Sequence, residues 1–131
     1  MTTDMIAVDG SLAVMFAAAL MRDKDVGILP VVDDTSHVIG CVTDRDLAIR
    51  TLTPENATPQ RMLVKDVMSD AAWCATTDDS VDDVLKAMGL HRVRRIPVVN
   101  SERKLIGIVS IGDLAIRADR DAGLQSALRR I

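Results

Sequence analysis

ILPVVDDTSHVIGCVTDRDLAIR, residues 28–50, returns as RIPVVNSERKLIGIVSIGDLAIR at residues 95–117, displaced throughout by 67 positions and without a gap. Eleven of the twenty-three positions are identical, among them Pro30 and Pro97, Gly40 and Gly107, Asp46 and Asp113. In-register identity of this kind marks a duplicated structural unit. Two copies are too few for a solenoid, which needs about three repeats to cover its ends, so one pseudo-symmetric body is expected.

Outward from this stretch, each unit reads as helix, strand, strand, helix. Ser80 precedes VDDVLKAMGLH, where Val81, Val84, Leu85 and Met88 recur at helical spacing and Ser80 stands at the N-cap. Ile96–Val99 and Leu105–Ser110 are β-branched runs flanking a polar turn, which predicts a hairpin, and a helix is expected over 113–120. The first unit follows suit: a helix from about Ser11 to Lys24, strands over Ile28–Val32 and Val38–Thr43, and a helix from about Asp46 to Leu52. TPENATPQ, residues 53–60, reads as a surface linker. MLVKDVM, residues 62–68, reads as a short lead-in helix, 73–76 as a brief strand, and Leu124, Leu128 and Ile131 as one face of a final helix. The expected division is repeat one over 1–52, a linker over 53–61, repeat two over 62–121 and a helical tail over 122–131. Strands interleaved with helices imply an α/β (α+β) fold, each repeat a small sheet packed with helices.

At 131 residues the chain is the size of a single domain. Trp73 and Phe16 are its only aromatics, so the core must be built from Val, Ile, Leu, Met and Ala. The same scarcity removes the stacking platform of single-strand nucleic-acid binders, and a net charge of -3 argues against general phosphate-backbone binding. Cys41 and Cys74 lack CxxC spacing and sit in apolar runs, which suits small buried hydrophobes in a reducing, cytoplasmic setting. Leu12–Met21 is too short to span a bilayer and has no basic residue ahead of it, so neither a membrane anchor nor a secretory leader is expected. That stretch also has no charged residue on any face, unlike its counterpart with Asp82, Asp83 and Lys86. A helix apolar all round is buried, and on so small a body the expected cover is another protomer.

The sharpest local pattern is Thr43-Asp44-Arg45-Asp46, repeated as Ser110-Ile111-Gly112-Asp113, each followed by LAIR. One reading is structural: a hydroxyl residue three positions before an acidic one is a helix capping box. The other is functional. A strand-to-helix junction offers backbone N–H groups and a hydroxyl for a phosphate, and a carboxylate for both hydroxyls of a ribose. The strands of Pro30 and Pro97 then form an apolar wall for a base. No nucleophile with its base, metal cluster or GxxxxGK phosphate loop is present, so no enzyme is expected.

The constellation resembles a tandem pair of cystathionine-β-synthase (CBS) domains, a Bateman module. The resemblance is carried in the second unit by Lys65-Asp66-Val67-Met68, Val93-Arg94-Arg95-Ile96-Pro97-Val98-Val99, Gly107-Ile108-Val109-Ser110 and Asp113-Leu114. In the first it is carried by Val26-Gly27-Ile28-Leu29-Pro30-Val31-Val32, Gly40-Cys41-Val42-Thr43 and Asp46-Leu47. It implies two half-sites for an adenosine-containing ligand such as AMP, ADP, ATP, NAD or S-adenosylmethionine, bound between repeats. Thr43 with Asp46 and Ser110 with Asp113 would hold phosphate and ribose. Arg94 and Arg95, with His91, would reach phosphates at the Asp46 site, which is then expected to favour the more highly phosphorylated ligand. Leu29 with Pro30, Ile96 with Pro97, and Cys74 and Thr76 from a leading strand would surround the base. The resemblance further implies a homodimer that regulates another protein by changing its arrangement; a ligand-free dimerisation or partner-binding module is the alternative. No cofactor, metal, membrane or nucleic-acid partner is expected. One departure stands out: nine residues separate Met68 from Asp78 but only three separate Met5 from Asp9, so the leading strand of repeat one, over 6–8, is expected to be shortened or missing.

Overall fold

The computed structural model describes residues 6–53, 59–70 and 74–117. The expected tail helix, most of the linker and Trp73 lie outside them. The described chain divides into two compact units, one over 6–70 and one over 74–117.

In the first unit, β1 (Val8–Asp9) runs parallel to β2 (Ile28–Val32), and α1 (Val14–Lys24) connects them. β2 pairs antiparallel with β3 (Val38–Thr43), which leads directly into α2 (Asp44–Thr51). A 3-10 turn at Pro59–Arg61, α3 (Val64–Val67) and β4 (Ser69–Asp70) follow, and β4 completes the four-stranded order β1-β2-β3-β4. The second unit holds β5 (Ala75–Thr76), α4 (Val81–His91), β6 (Arg95–Val99), β7 (Leu105–Ser110) and α5 (Ile111–Arg117), with sheet order β5-β6-β7.

The 67-residue displacement extends beyond the sequence identity that reveals it. Val8, Val14, Ala17, Met21, Leu29, Val31, Val42 and Leu47 form the first core; Ala75, Val81, Val84, Met88, Ile96, Val98, Val109 and Leu114 occupy the matching positions of the second. Both connecting helices end in a left-handed residue, Asp25 (φ 53°) and Arg92 (φ 57°), whose N–H caps the last turn. Both hairpins place a left-handed residue at the same point, Ser36 (φ 68°) and Arg103 (φ 63°). Such positions disfavour most side chains, so their recurrence reflects a duplicated backbone.

Three expectations are corrected. The leading strand of repeat one is not missing: β1 and β5 are each two residues long and meet their neighbours in matching register, Val8 opposite Val31 and Ala75 opposite Val98. Counting from Asp9 to Asp78 misled, because the counterpart of Asp9 is Thr76 and Ser69–Asp70 belong to β4. In α1, Val14, Ala17 and Met21 face the core, whereas Met15 is 59% and Phe16 65% exposed within the single chain. The helix also starts at Val14, since Ser11 is held in a turn by Asp9, whose Oδ1 accepts from its N–H and hydroxyl at 2.7 Å. Finally, α2 starts at Asp44 and not Asp46, directly after its N-cap Thr43.

Residues 62–70, placed by their sequence at the head of repeat two, pack on the first unit. Its α1 has Ala13 at the N-cap, where α4 has Ser80, and Ala13 offers no side-chain acceptor. The lead-in segment supplies backbone instead: Val14 N–H donates to the Met62 carbonyl at 3.1 Å, and Val64 and Lys65 donate back to Leu12 and Gly10 at 2.8 and 2.9 Å. Val64 and Val67 then complete the first core, fully buried. Among the described residues, no helix is long and apolar enough to cross a membrane, and no group of three or more His, Cys, Asp or Glu side chains is placed to hold a metal ion.

Candidate functional site

Both units turn from strand into helix at the same place, and the chemistry gathers there. At the end of β3, Thr43 keeps extended backbone (φ -108°, ψ 163°) and caps α2. Its Oγ1 accepts from Asp46 N–H at 2.9 Å, and its own N–H donates to Asp46 Oδ2 at 3.0 Å. The capping box therefore satisfies two backbone donors reciprocally. The hairpin fixes the mouth of this junction: Asp44 N–H donates to the Gly27 carbonyl at 2.9 Å. A side chain at Gly27 would crowd the Asp44 carboxylate, since an ideal Cβ lies 3.0 Å from Oδ2.

The second junction repeats the design. Ser110 N–H donates to Asp113 Oδ2 and Asp113 N–H donates to Ser110 Oγ, both at 3.1 Å. Partial burial pushes the Asp113 carboxyl up, hydrogen bonding to Ser110 pulls it down, and its net position is below the ordinary carboxylate value. Arg94 and Arg95 stand beside this junction in the same unit: Ile111 N–H donates to the Arg94 carbonyl at 2.8 Å, and Arg95 is the register partner of Ser110. Both guanidinium side chains are exposed, as is that of Arg92. The matching positions at the first junction are Asp25, Gly27 and Ile28, none of them basic.

The expected base wall divides by strand alternation. Leu29 and Ile96 are each 1% exposed and belong to the two cores, so their side chains serve packing. Pro30 and Pro97, one residue on, turn to the opposite faces of β2 and β6. Thr76 lies at the end of β5 with its N–H and hydroxyl on the Asp79 carboxylate at 2.9 and 3.2 Å, and Cys74 is half-buried just before that strand. His91 closes α4.

Ser69 and Arg50 complete the first junction and are missing from the sequence-derived set. The Ser69 hydroxyl donates toward Asp46 at 3.2 and 3.3 Å. Arg50 Nε lies 3.9 Å from Asp46 Oδ1, while its Nη1 donates to the Val67 and Met68 carbonyls at 3.0 and 3.3 Å. Only the antiparallel register that sets Cys41 opposite Ser69 brings residue 69 to residue 46. Nothing in local periodicity signals it.

A second feature is apolar. α1 and α2 enclose a groove of about 530 Å³ lined by Met15, Ala18, Met21, Leu47, Ala48 and Leu52, among others. Phe16, outside that lining, is 65% exposed, and Leu52 within it 73%.

Known proteins resemble this chain along most of its length. The family model for the CBS domain matches residues 1–51 and again 64–120. The Bacillus subtilis protein YlbB is 40% identical over 116 residues, covering 88% of this chain and 76% of that protein. Among solved structures, Hypoxic Response Protein I with two coordinated zinc ions superposes with a TM-score of 0.76 at 30% identity, covering 89% of this chain and 94% of that one. CBSX2, from Arabidopsis thaliana, solved in complex with AMP, superposes with a TM-score of 0.71 at 28% identity, covering 89% of each chain.

Proposed function

The chain belongs to the CBS domain family as a two-repeat protein, and from that premise we propose that it is a regulatory module that senses an adenosine-containing ligand, with no chemistry of its own. The observation that carries this reading is the duplicated junction: a hydroxyl and a carboxylate are held together at the same register in both units, beside a strand proline. The complex of CBSX2 with AMP, at 28% identity, supports the ligand class. Asp46 and Asp113 accept the ribose hydroxyls, and Thr43 and Ser110 with their neighbouring amides take phosphate oxygens. Exposed Arg94 and Arg95 add charge for phosphates. The capping boxes do not compete with this role, because a carboxylate has about four acceptor positions and a cap uses one or two.

The module acts as a homodimer, in the cytoplasm, and the α1–α2 face is the contact. Duplication supplies the argument. The core needs only positions 14, 17 and 21 of α1, which match the buried 81, 84 and 88 of α4. On the outer side α4 carries Asp82, Asp83 and Lys86, whereas α1 carries Met15, Phe16 and Ala19. The fold tolerates charge there, so the apolar set on α1 serves a partner. A second copy of the same face fits it: a two-fold contact is self-complementary, and it covers the exposed apolar Met15, Phe16 and Leu52 with one another.

Thermal shift with AMP tests the ligand reading. At about 100 times its dissociation constant AMP should stabilise the protein by roughly 2.7 kcal/mol. The shift should be lost in Asp46→Ala or Asp113→Ala, each of which also loses about 0.5–2 kcal/mol of cap stability without ligand. A folded dimer that no adenosine ligand stabilises would instead be the ligand-free interaction module.

A further inference from the structure

The Asp46 carboxylate is engaged from outside its own helix, and the geometry of that contact is unusual. Ser69 Oγ lies 3.3 Å from Oδ1 and 3.2 Å from Oδ2. One hydroxyl proton serves both oxygens only by sharing itself in a three-centre bond, whereas a strong hydroxyl–carboxylate bond is about 2.5–2.7 Å long. The contact is therefore long and split. Its position matters more than its strength: a point equidistant from both oxygens lies where two adjacent ribose hydroxyls would donate one bond to each. Thr43 N–H already occupies Oδ2 from the helix side, and only 12% of the Asp46 side chain is exposed.

The Ser69 backbone is held in place. It pairs with Cys41, and its carbonyl crosses so close to Gly40 that a Cβ there would approach it to 2.5 Å. Arg50 ties down the preceding Val67 and Met68 carbonyls. A ligand can displace the hydroxyl only by rotating the serine side chain.

We infer that Ser69 is an internal competitor for the ligand: its hydroxyl sits on the diol-accepting face of Asp46 and must turn away before a ribose can bind. Ser69 thus raises the ligand concentration needed to fill the site, and it weighs most against ligands that need both carboxylate oxygens. The inference rests on the reading of Asp46 as a ribose acceptor.

Calorimetric titration of the intact chain with AMP and with 2′-deoxy-AMP tests it, using wild type, Ser69→Ala and Asp46→Ala. Ser69→Ala should bind AMP about two- to tenfold tighter, the worth of one modest hydrogen bond. The gain should be smaller for 2′-deoxy-AMP, which leaves one oxygen to the serine. Unchanged or weaker AMP binding by Ser69→Ala, with Asp46→Ala still abolishing a binding event, overturns the inference and leaves the ribose reading standing. AMP binding that survives Asp46→Ala intact, or no AMP binding by either wild type or Ser69→Ala, overturns both.

Discussion

The double substitution Met15→Asp/Phe16→Asp places on α1 the residue type that α4 carries at 82 and 83, and it should convert the dimer to a folded monomer. Complete burial of a Met or Phe side chain stabilises by about 1.5–3 kcal/mol. With 59% of Met15 and 65% of Phe16 exposed in the single chain, covering them in a dimer contributes about 1–2 kcal/mol each. A two-fold contact uses each residue twice. The variant should lose about 4–8 kcal/mol of association free energy, or roughly three to six decades in dimer dissociation constant. Repulsion between the new carboxylates across the axis adds to that. The fold itself should be spared, because Val14, Ala17 and Met21 are untouched and the first turn of α1 has no acidic residue to repel new ones beside the positive helix end. Sedimentation equilibrium reads the dissociation constant, and urea unfolding of the monomer reads the fold. A variant that remains dimeric at wild-type concentrations refutes the assignment of this face, as does a wild type that is monomeric at every concentration reached.

Two glycines should respond in opposite directions. Gly40→Ala brings a Cβ against the Ser69 carbonyl and 2.9 Å from Met68 Sδ, so it should cost about 1–3 kcal/mol in urea unfolding. Gly89→Ala in α4 meets nothing within 4 Å and should stabilise by about 0.5–1 kcal/mol, since alanine is the better helix former. Asp113 should titrate below its ordinary value of 3.8, as followed by carboxyl carbon NMR. Because the folded state lowers that value, the contribution to stability is complete above 3.8 and disappears as the pH falls through the folded pKa. Asp113→Asn should therefore flatten the drop in thermal midpoint below about pH 4; an undiminished drop would assign acid sensitivity to other carboxylates.

The hairpins could be read from sequence nearly to the residue. Ile28–Val32, Val38–Thr43 and Leu105–Ser110 are strands as expected, and β6 starts one residue early, at Arg95. Their signal is local: β-branched runs around a polar turn carry their own register. What escaped depends on contacts distant in sequence. The two-residue strands β1 and β5 are too short for any periodicity, so aligning Asp9 with Asp78 was a choice made on chemistry where the backbone aligns Asp9 with Thr76. The packing of 62–70 on the first unit goes with backbone bonds exchanged in both directions at the start of α1, where Val14 N–H donates to the Met62 carbonyl, and no pattern within 62–70 announces it. The absence of charge from Leu12–Met21 is legible in composition, whereas which of its residues meet the core and which stay open in the single chain is set by the fold. At the junctions Thr43, Asp46, Ser110 and Asp113 stood out because they recur. Ser69 did not, being visible only through the pairing of β3 with β4.

The position-by-position match of the two cores means that the chain contains spare parts that fit in either place. β1 and β5 seat against their hairpins in the same register, and α1 and α4 present their buried residues at the same spacing. A folding chain must choose between near-equivalent partners, the situation in which repeat proteins misassemble or exchange elements between molecules. Sorting has to come from what duplication left unequal. Each leading strand lies close in sequence to its own hairpin, so the shorter loop closes at lower entropic cost. Val8 and Ala75 differ in volume at the same core position, and a swap would overpack one core and leave a void in the other. A Val8→Ala/Ala75→Val exchange would thus invert that volume code, leaving chain proximity as the sole guide to correct pairing.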